Sequence, residues 1–178
     1  MQSFIEKKVL SGRLIAGADR KRGKFRHLLR RSLLNHVRDM MRSEPRQSED
    51  IADHTDRLVA RDHAADVFDL AWAREVVSKT LRRMQAECEA KDHSAYWRLF
   101  ECRVLGPTLD GIKSPGYEEL VGKFGFRSPQ EGCNALLTAK RMFVRALHSV
   151  VGEYASNEEE VSEEIRELRA ILSRSGAS

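Results

Sequence analysis

Residues 116–154 read GYEELVGKFGFRSPQEGCNALLTAKRMFVRALHSVVGEY, and this stretch decides the fold. One Ser-Pro pair begins at Ser114, just before it, and another begins at Ser128 within it. Each pair signals a helix start, because Ser is a good N-cap and Pro suits the first helical position. Gly125 lies between the two predicted helices and ends the first. Two helices joined by a Gly-containing turn of about four residues are typical of a helix-turn-helix.

The second helix of this pair carries two kinds of polar side chain. Gln130, Glu131 and Asn134 lie in its first turns, where they could pair with base edges in a major groove. Lys140 and Arg141 follow, and their charges favour phosphates. An ordinary amphipathic helix with a solvated polar face has the same spacing. The spacing alone leaves both interpretations open.

The rest of the chain is also helical by pattern, without strand alternation, and we predict an all-α fold. A basic amphipathic helix over 24–42 belongs to a first module, 1–42. Residues 43–66 are rich in Asp and Ser and predict a flexible acidic linker. A second module, 67–154, contains the helix pair and the aromatic residues expected to anchor its core. Residues 155–178 form an acidic C-terminal helix and tail.

Charge is distributed unevenly along the chain. Residues 1–46 hold 13 Lys and Arg against 4 Asp and Glu, a net charge of +9. Residues 155–172 hold 6 Glu against 2 Arg, a net charge of −4. One end of the chain is therefore suited to polyanions and the other is not. For the basic helix alone, nucleic acid, an acidic membrane surface and simple solvation remain alternatives.

Several functional classes find no support in the sequence. The 3 cysteines are isolated, and the 6 histidines include no HExxH motif, so we expect neither a disulfide framework nor a metal site. No phosphate-binding glycine loop or paired catalytic carboxylate is present, and we expect a protein that is not an enzyme and has no cofactor. The sequence has no signal peptide or membrane-spanning run, which predicts a cytoplasmic protein without membrane contact.

Residues 25–42, FRHLLRRSLLNHVRDMMR, resemble the promoter-melting segment of bacterial sigma factors of the extracytoplasmic-function type. In that segment an aromatic-Arg start is followed by an apolar stripe, an Asn, an Asp four residues on and a basic end. The matching residues here are Phe25, Arg26, Asn35, Asp39 and Arg42. Residues 22–26, RGKFR, look like the RGxFR entry of related sigma-like groups. Residues 2–4 resemble only the end of the polymerase-binding helix, which implies a short first region.

Residues 117–126, YEELVGKFGF, with the helix that follows, are similar to the fourth conserved region of the same family. In sigma factors the helix-turn-helix of that region binds the upstream promoter element. The resemblance implies upstream-element contacts by Arg127, Ser128, Gln130, Glu131, Asn134, Lys140, Arg141 and Arg145. It implies downstream-element contacts by Lys24, Arg26, Arg30, Asn35 and Arg38.

The resemblance implies a sigma-factor-like transcription initiation factor whose partners are promoter DNA and core RNA polymerase. An anti-sigma protein is a further candidate partner. One alternative is a stand-alone helix-turn-helix transcriptional regulator that no longer binds core polymerase. Another is a protein-interaction module that uses the apolar stripe of its acidic C-terminal helix. That predicted stripe consists of Val161, Ile165, Leu168 and Leu172.

Overall fold

The computed structural model describes residues 25–43, 51–109 and 111–175, which form helices joined by short connections. No strand occurs within these ranges, and the all-α prediction is confirmed. Lys24 and the rest of residues 1–24 lie outside the described residues, as do residues 44–50 of the predicted linker. The elements in chain order are α1 (Phe25–Ser43), α2 (Ile51–Ala90), α3 (Ser94–Phe100), a π-helical segment (Glu101–Leu105), α4 (Gly106–Leu109), α5 (Tyr117–Phe124), α6 (Pro129–Gly152) and α7 (Glu158–Ser175).

Internal contacts divide the chain into two compact units whose boundaries differ from those predicted for the modules. The terminal unit comprises the described residues of 1–74 together with those of 152–178. The central unit is Glu75–Val151. Helix α2 contributes its first part to the terminal unit and its second part to the central unit. The terminal unit is therefore discontinuous in sequence, whereas the central unit is one continuous segment.

The predicted linker at residues 43–66 requires a correction. Residues 51–66 form the first turns of α2, a helix of 40 residues. This segment contains four alanines and neither Gly nor Pro, so its backbone is helix-compatible throughout despite its polar composition. Ala65 and Asp69 are buried. The acidic character of the segment was therefore a poor guide to its structure.

The acidic C-terminal segment, predicted as a separate helix and tail, forms α7 and belongs to the terminal unit. Its start is capped at Asn157, whose Oδ1 accepts the Glu160 N–H at 2.9 Å. The carboxylate of Glu160 in turn accepts the Ser156 N–H at 2.7 Å. The buried apolar side chains of α7 are Val161, Ile165, Leu168 and Ile171. Three of the four residues predicted for the stripe are thus buried, and Ile171 replaces the more exposed Leu172.

The core of the central unit is formed by two apolar clusters, and aromatic residues of α3 pack against both. Phe100 is buried and stacks on Phe143 of α6 with 5.5 Å between ring centroids. The first cluster consists of Met84, Cys88, Phe100, Ala139, Met142 and Ala146. The second consists of Leu99, Leu120, Ala135 and Leu136. These clusters fix the buried side of α6, and the opposite side is left to solvent.

Candidate nucleic-acid interface

The connection between α5 and α6 has four residues, 125–128. Gly125 adopts φ 75° and ψ 26°, a left-handed conformation that glycine enters at low cost. Its N–H and that of Phe126 both donate to the Val121 carbonyl at 3.1 Å, which closes α5. After this turn, α6 begins at Pro129 as the Ser-Pro signal predicts.

Two residues predicted to contact DNA cap the start of α6. The Oγ of Ser128 accepts the Glu131 N–H at 3.2 Å. The Glu131 carboxylate accepts the Arg127 N–H at 2.6 Å. This arrangement satisfies backbone donors that a helix start leaves without intrahelical partners. We therefore assign Ser128 and Glu131 to capping rather than base contact, and the carboxylate charge of Glu131 would also repel phosphates.

An interlocked group of side chains fixes the start of α6 against α5. A Cβ added at Gly132 would lie 3.4 Å from Cδ1 of Tyr117, so the Tyr117 ring lies directly against the α6 backbone. The guanidinium of Arg103 lies 4.3 Å from the centroid of the same ring and donates to the Pro115 carbonyl. Burial, followed by the hydrogen bond with Cys133, raises the pKa of Tyr117. Sequence reasoning missed Arg103, because only the fold brings it to this position.

The outward side of α6 carries most of the predicted upstream contacts. Gln130 and Asn134 are exposed, and the Gln130 amide donates to the Asn134 Oδ1 at 3.3 Å. Lys140 and Arg141 are also exposed. Arg145 is 61% exposed, and its guanidinium lies 3.4 Å from the Glu87 carboxylate. Amide groups therefore precede cations along one helix face, an order suited to base edges followed by phosphates.

In the terminal unit, Arg26 lies at the centre of a buried ionic network. Its Nη1 lies 3.1 Å from the Asp69 carboxylate and its Nε lies 3.1 Å from that of Glu164. Its Nη2 forms an ion pair with Glu167. The guanidinium also stacks 4.2 Å from the ring centroid of Trp72, and the Arg26 residue is only 6% exposed. Arg26 thus holds together residues of α1, α2 and α7.

This network changes the assignment of downstream contacts. Arg26 is enclosed by protein, so we withdraw it from the set predicted to contact DNA. Arg30 is partly engaged, with its Nε 3.2 Å from the second oxygen of Asp69. The exposed polar side chains of α1 include Arg31, Asn35 and Arg38, spaced i, i+4 and i+7 along one side. Arg31 was not among the predicted contacts, and it is exposed on the same side of α1 as Asn35 and Arg38.

A tyrosine adjoins the network in the same unit. Burial raises the pKa of Tyr154 to about 12, and the negative charge of Glu164 contributes to the shift. Both effects penalise the tyrosinate form. A neutral hydroxyl therefore belongs to the native state of the terminal unit throughout the neutral pH range.

One group of side chains has the atom types that bind metal ions. It consists of the carboxylates of Glu164 and Glu167 and the imidazole of His27, and the possible ligand atoms lie within 4.8 Å of one another. The Arg26 guanidinium already binds both carboxylates and supplies the positive charge that a metal ion would bring. We therefore assign no metal to this group. A cavity of about 290 Å³ opens beside it, lined by Arg26, His27, Arg30, Asp69, Glu167, Ala170, Ile171 and Arg174.

Comparison of the chain with protein families, with characterised proteins and with solved structures gives no match. Within the described residues, no helix combines the length and the apolar character required to cross a membrane.

Proposed function

We propose that this protein is a sigma-factor-like transcription initiation factor that binds promoter DNA through α5 and α6 and recruits core RNA polymerase. The observation that carries the proposal is the outward face of α6, where Gln130 and Asn134 precede Lys140 and Arg141. The four-residue connection from α5 supports it, because a helix-turn-helix presents its second helix through such a turn. The activity consists of positioning polymerase and involves no chemical step of its own.

Helix α1 supplies the second part of the proposal. Arg31, Asn35 and Arg38 form an exposed polar row suited to backbone phosphates and base edges of separated strands. This row would hold the downstream promoter element, while α6 reads the upstream element. Sequence choice would come from the amides of α6, and salt-dependent affinity would come from cations on both helices.

The burial of Arg26 favours a second candidate function. A predicted downstream contact is enclosed in the protein, which reduces the surface that α1 offers to a promoter. A stand-alone regulator that binds duplex DNA through α6 alone would need no such surface. We do not propose the third candidate, a partner helix on the stripe of α7, because Val161, Ile165 and Leu168 are buried within the protein itself.

Co-sedimentation with bacterial core RNA polymerase tests the proposal, with and without a promoter-containing fragment and across a salt series. A sigma-like factor would migrate with core and direct it to a discrete site, as footprinting would show. Binding to DNA without any association with core would replace this proposal by the stand-alone regulator. An Arg31→Gln, Arg38→Gln variant separates the two activities: it should retain core binding and lose open-complex formation.

A further inference from the structure

The cavity of about 290 Å³ beside the Arg26 network lies within the terminal unit. Its lining comes from three helices, namely α1, the first part of α2, and α7. Pockets that bind small molecules have volumes of about 300–1,000 Å³, so this cavity is close to the lower end of that range. It therefore has room for a ligand with a short body, and its lining determines which kind.

Two arginines of the lining are open to solvent. The Nε of Arg30 lies 3.2 Å from the Asp69 carboxylate, and 39% of the Arg30 side chain is exposed. An arginine carries five N–H donors, so this contact leaves donors of Arg30 for another acceptor. Arg174 lies in the last turn of α7 and is also exposed. Two helices thus each supply one guanidinium to the same cavity.

The carboxylates of the lining already have cationic partners in the protein. Asp69 lies 3.1 Å from the Arg26 guanidinium as well as near Arg30, and Glu167 forms an ion pair with Arg26. The imidazole of His27 lies 3.5 Å from the same Glu167 carboxylate. A cationic ligand would therefore have to compete with buried arginine, whereas an anionic ligand meets the two exposed arginines. This arrangement of charges favours an anion.

Ala170 and Ile171 supply the apolar part of the lining. They precede Arg174 by four and three residues, so the three side chains are neighbours on the surface of α7. The aliphatic stems of the arginines add further apolar surface. A ligand that carries an acidic group on a small apolar body would contact both kinds of surface at once.

The cavity lies on a different side of α1 from the row proposed to contact DNA. Arg26 and Arg30 are four residues apart and share the side that pairs with Asp69. Arg31, Asn35 and Arg38 lie on average about 125° further round the helix axis, at about 3.6 residues per turn. A nucleic acid held by that row therefore contacts another side of the helix.

We infer that this cavity binds a small organic anion, a carboxylate or a phosphate monoester with a short apolar body, held by Arg30 and Arg174. The bound anion links α1 to α7 and stabilises the folded terminal unit. Neither DNA nor polymerase takes part in this binding, so the inference does not rest on the proposed function.

Three probes of similar shape test the chemistry: benzoate, phenyl phosphate and the neutral benzamide. Trp72 reports on binding, because its ring stacks on the guanidinium of Arg26, which lines the cavity. In the full chain with Trp97→Phe, titration with either anion at constant ionic strength should give a saturable change in fluorescence. Benzamide should bind at least about tenfold more weakly. Absence of saturation with both anions, or equal affinity for benzamide, would overturn the proposal.

Variants locate the site. Arg30→Gln, Arg174→Gln should weaken the binding of both anions at least about tenfold. Arg31→Gln, Arg166→Gln removes the same charge from exposed positions of the same two helices and is the matched control. Ala170→Trp fills the cavity without removing a cation, and it should also weaken binding. Circular dichroism verifies that each variant is folded. Unchanged affinity in Ala170→Trp would place the anion elsewhere and refute the site.

Single-stranded DNA carries phosphates of the same chemistry, and a competition experiment separates the two sources. An oligonucleotide should leave the binding of phenyl phosphate unchanged, whereas displacement would assign the cavity to nucleic acid and overturn the inference. Benzoate binding by a chain that does not bind DNA would reject the proposed function and leave this site standing. DNA binding by a chain that binds neither anion would do the opposite.

Discussion

Arg26 of the terminal unit and the arginines of α6 in the central unit use their charge in opposite ways. In the terminal unit, Arg26 is enclosed by Asp69, Glu164 and Glu167, and ion pairs with these carboxylates neutralise its charge. In the central unit, Arg141 and Arg145 extend outward from α6, and Arg145 has a single carboxylate at the edge of its reach. Local charge density does not distinguish the two cases, because both helices are basic. The difference comes from carboxylates: the fold places three around Arg26, whereas the described residues place one, Glu87, beside Arg145.

Removal of the Arg26 charge is the largest perturbation that would test this contrast. Arg26→Met leaves three carboxylates around an apolar side chain, and we expect a loss of about 3–5 kcal/mol in the free energy of unfolding of the terminal unit. The two tryptophans separate the units, since Trp72 belongs to one and Trp97 to the other. Urea unfolding followed by Trp72 fluorescence in a Trp97→Phe background measures the effect.

The control for Arg26 is Arg31→Met on the same helix, which should change stability by no more than about 0.5 kcal/mol because Arg31 is exposed. The Trp97 signal, measured in a Trp72→Phe background, should keep its midpoint in both variants. A stable Arg26→Met protein would show that the network is dispensable and that the contrast between the units is only superficial.

DNA-binding assays test the role of the exposed side chains of α6. Asn134→Ala should lose about 1–3 kcal/mol of discrimination at one base position, while affinity for random duplex stays unchanged. Arg141→Ala should weaken binding to all sequences and flatten the salt dependence by about one phosphate contact. Arg82→Ala, an exposed arginine of the same unit outside α6, is the control. Equal losses on specific and random DNA for Asn134→Ala would contradict this division of roles.

Substitutions at two glycines of the central unit test whether the turn between α5 and α6 requires a left-handed residue. Gly125→Ala forces a side chain into the left-handed region and should cost about 1 kcal/mol. Gly122→Ala places a methyl group in open space within α5 and should gain about 0.5–1 kcal/mol, since Ala is the better helix former. Thermal unfolding of both variants gives the difference. A stabilised Gly125→Ala protein would mean that the turn relaxes and does not orient α6.

The smallest expected effect concerns pH and the terminal unit. The pKa of Tyr154 is raised to about 12 in the folded protein, so the folded state holds this proton more tightly than the unfolded chain does. Stability from this group is present below about pH 10 and is lost as the pH rises toward about 12. The loss is on the order of 1 kcal/mol, because the partial exposure of Tyr154 lets solvent screen much of the effect of the raised pKa. The Trp72 unfolding midpoint across this range, compared with that of Tyr154→Phe, isolates the contribution. Identical pH profiles would exclude it.

The sequence predicts local features of this fold well and contacts between residues far apart in the chain poorly. The Ser-Pro signal at Ser128 places the start of α6 correctly, because capping acts within one helical turn. The same signal at Ser114 is wrong by two residues, since α5 begins at Tyr117 with Gly116 as its N-cap. Polar composition at residues 51–66 suggested a linker, yet that segment lacks helix-breaking residues and continues into α2. The partners of Arg26 lie 43 and 138 residues away at Asp69 and Glu164, beyond any local pattern.

The residues predicted to contact DNA show the same difference between local features, which the sequence predicts, and distant contacts, which it does not. Solvent exposure of Gln130, Asn134, Lys140 and Arg141 agrees with their positions on an amphipathic helix. The capping roles of Ser128 and Glu131 were readable in principle, since Ser followed three residues later by Glu is a helix-start signature. The DNA and polymerase contacts themselves stay predictions, because the fold fixes only which side chains face outward.

The discontinuity of the terminal unit has a consequence for protein synthesis. As the chain leaves the ribosome, Glu75–Val151 emerges as one continuous segment, so the central unit has all its residues before α7 is made. The terminal unit has to wait for Glu164 and Glu167, which follow the whole central unit in the sequence. Of the three acidic partners that the structure describes for Arg26, only Asp69 of α2 has been made by then. A nascent chain stalled before α7 would therefore expose an incompletely neutralised arginine and an unfinished core to proteases and chaperones.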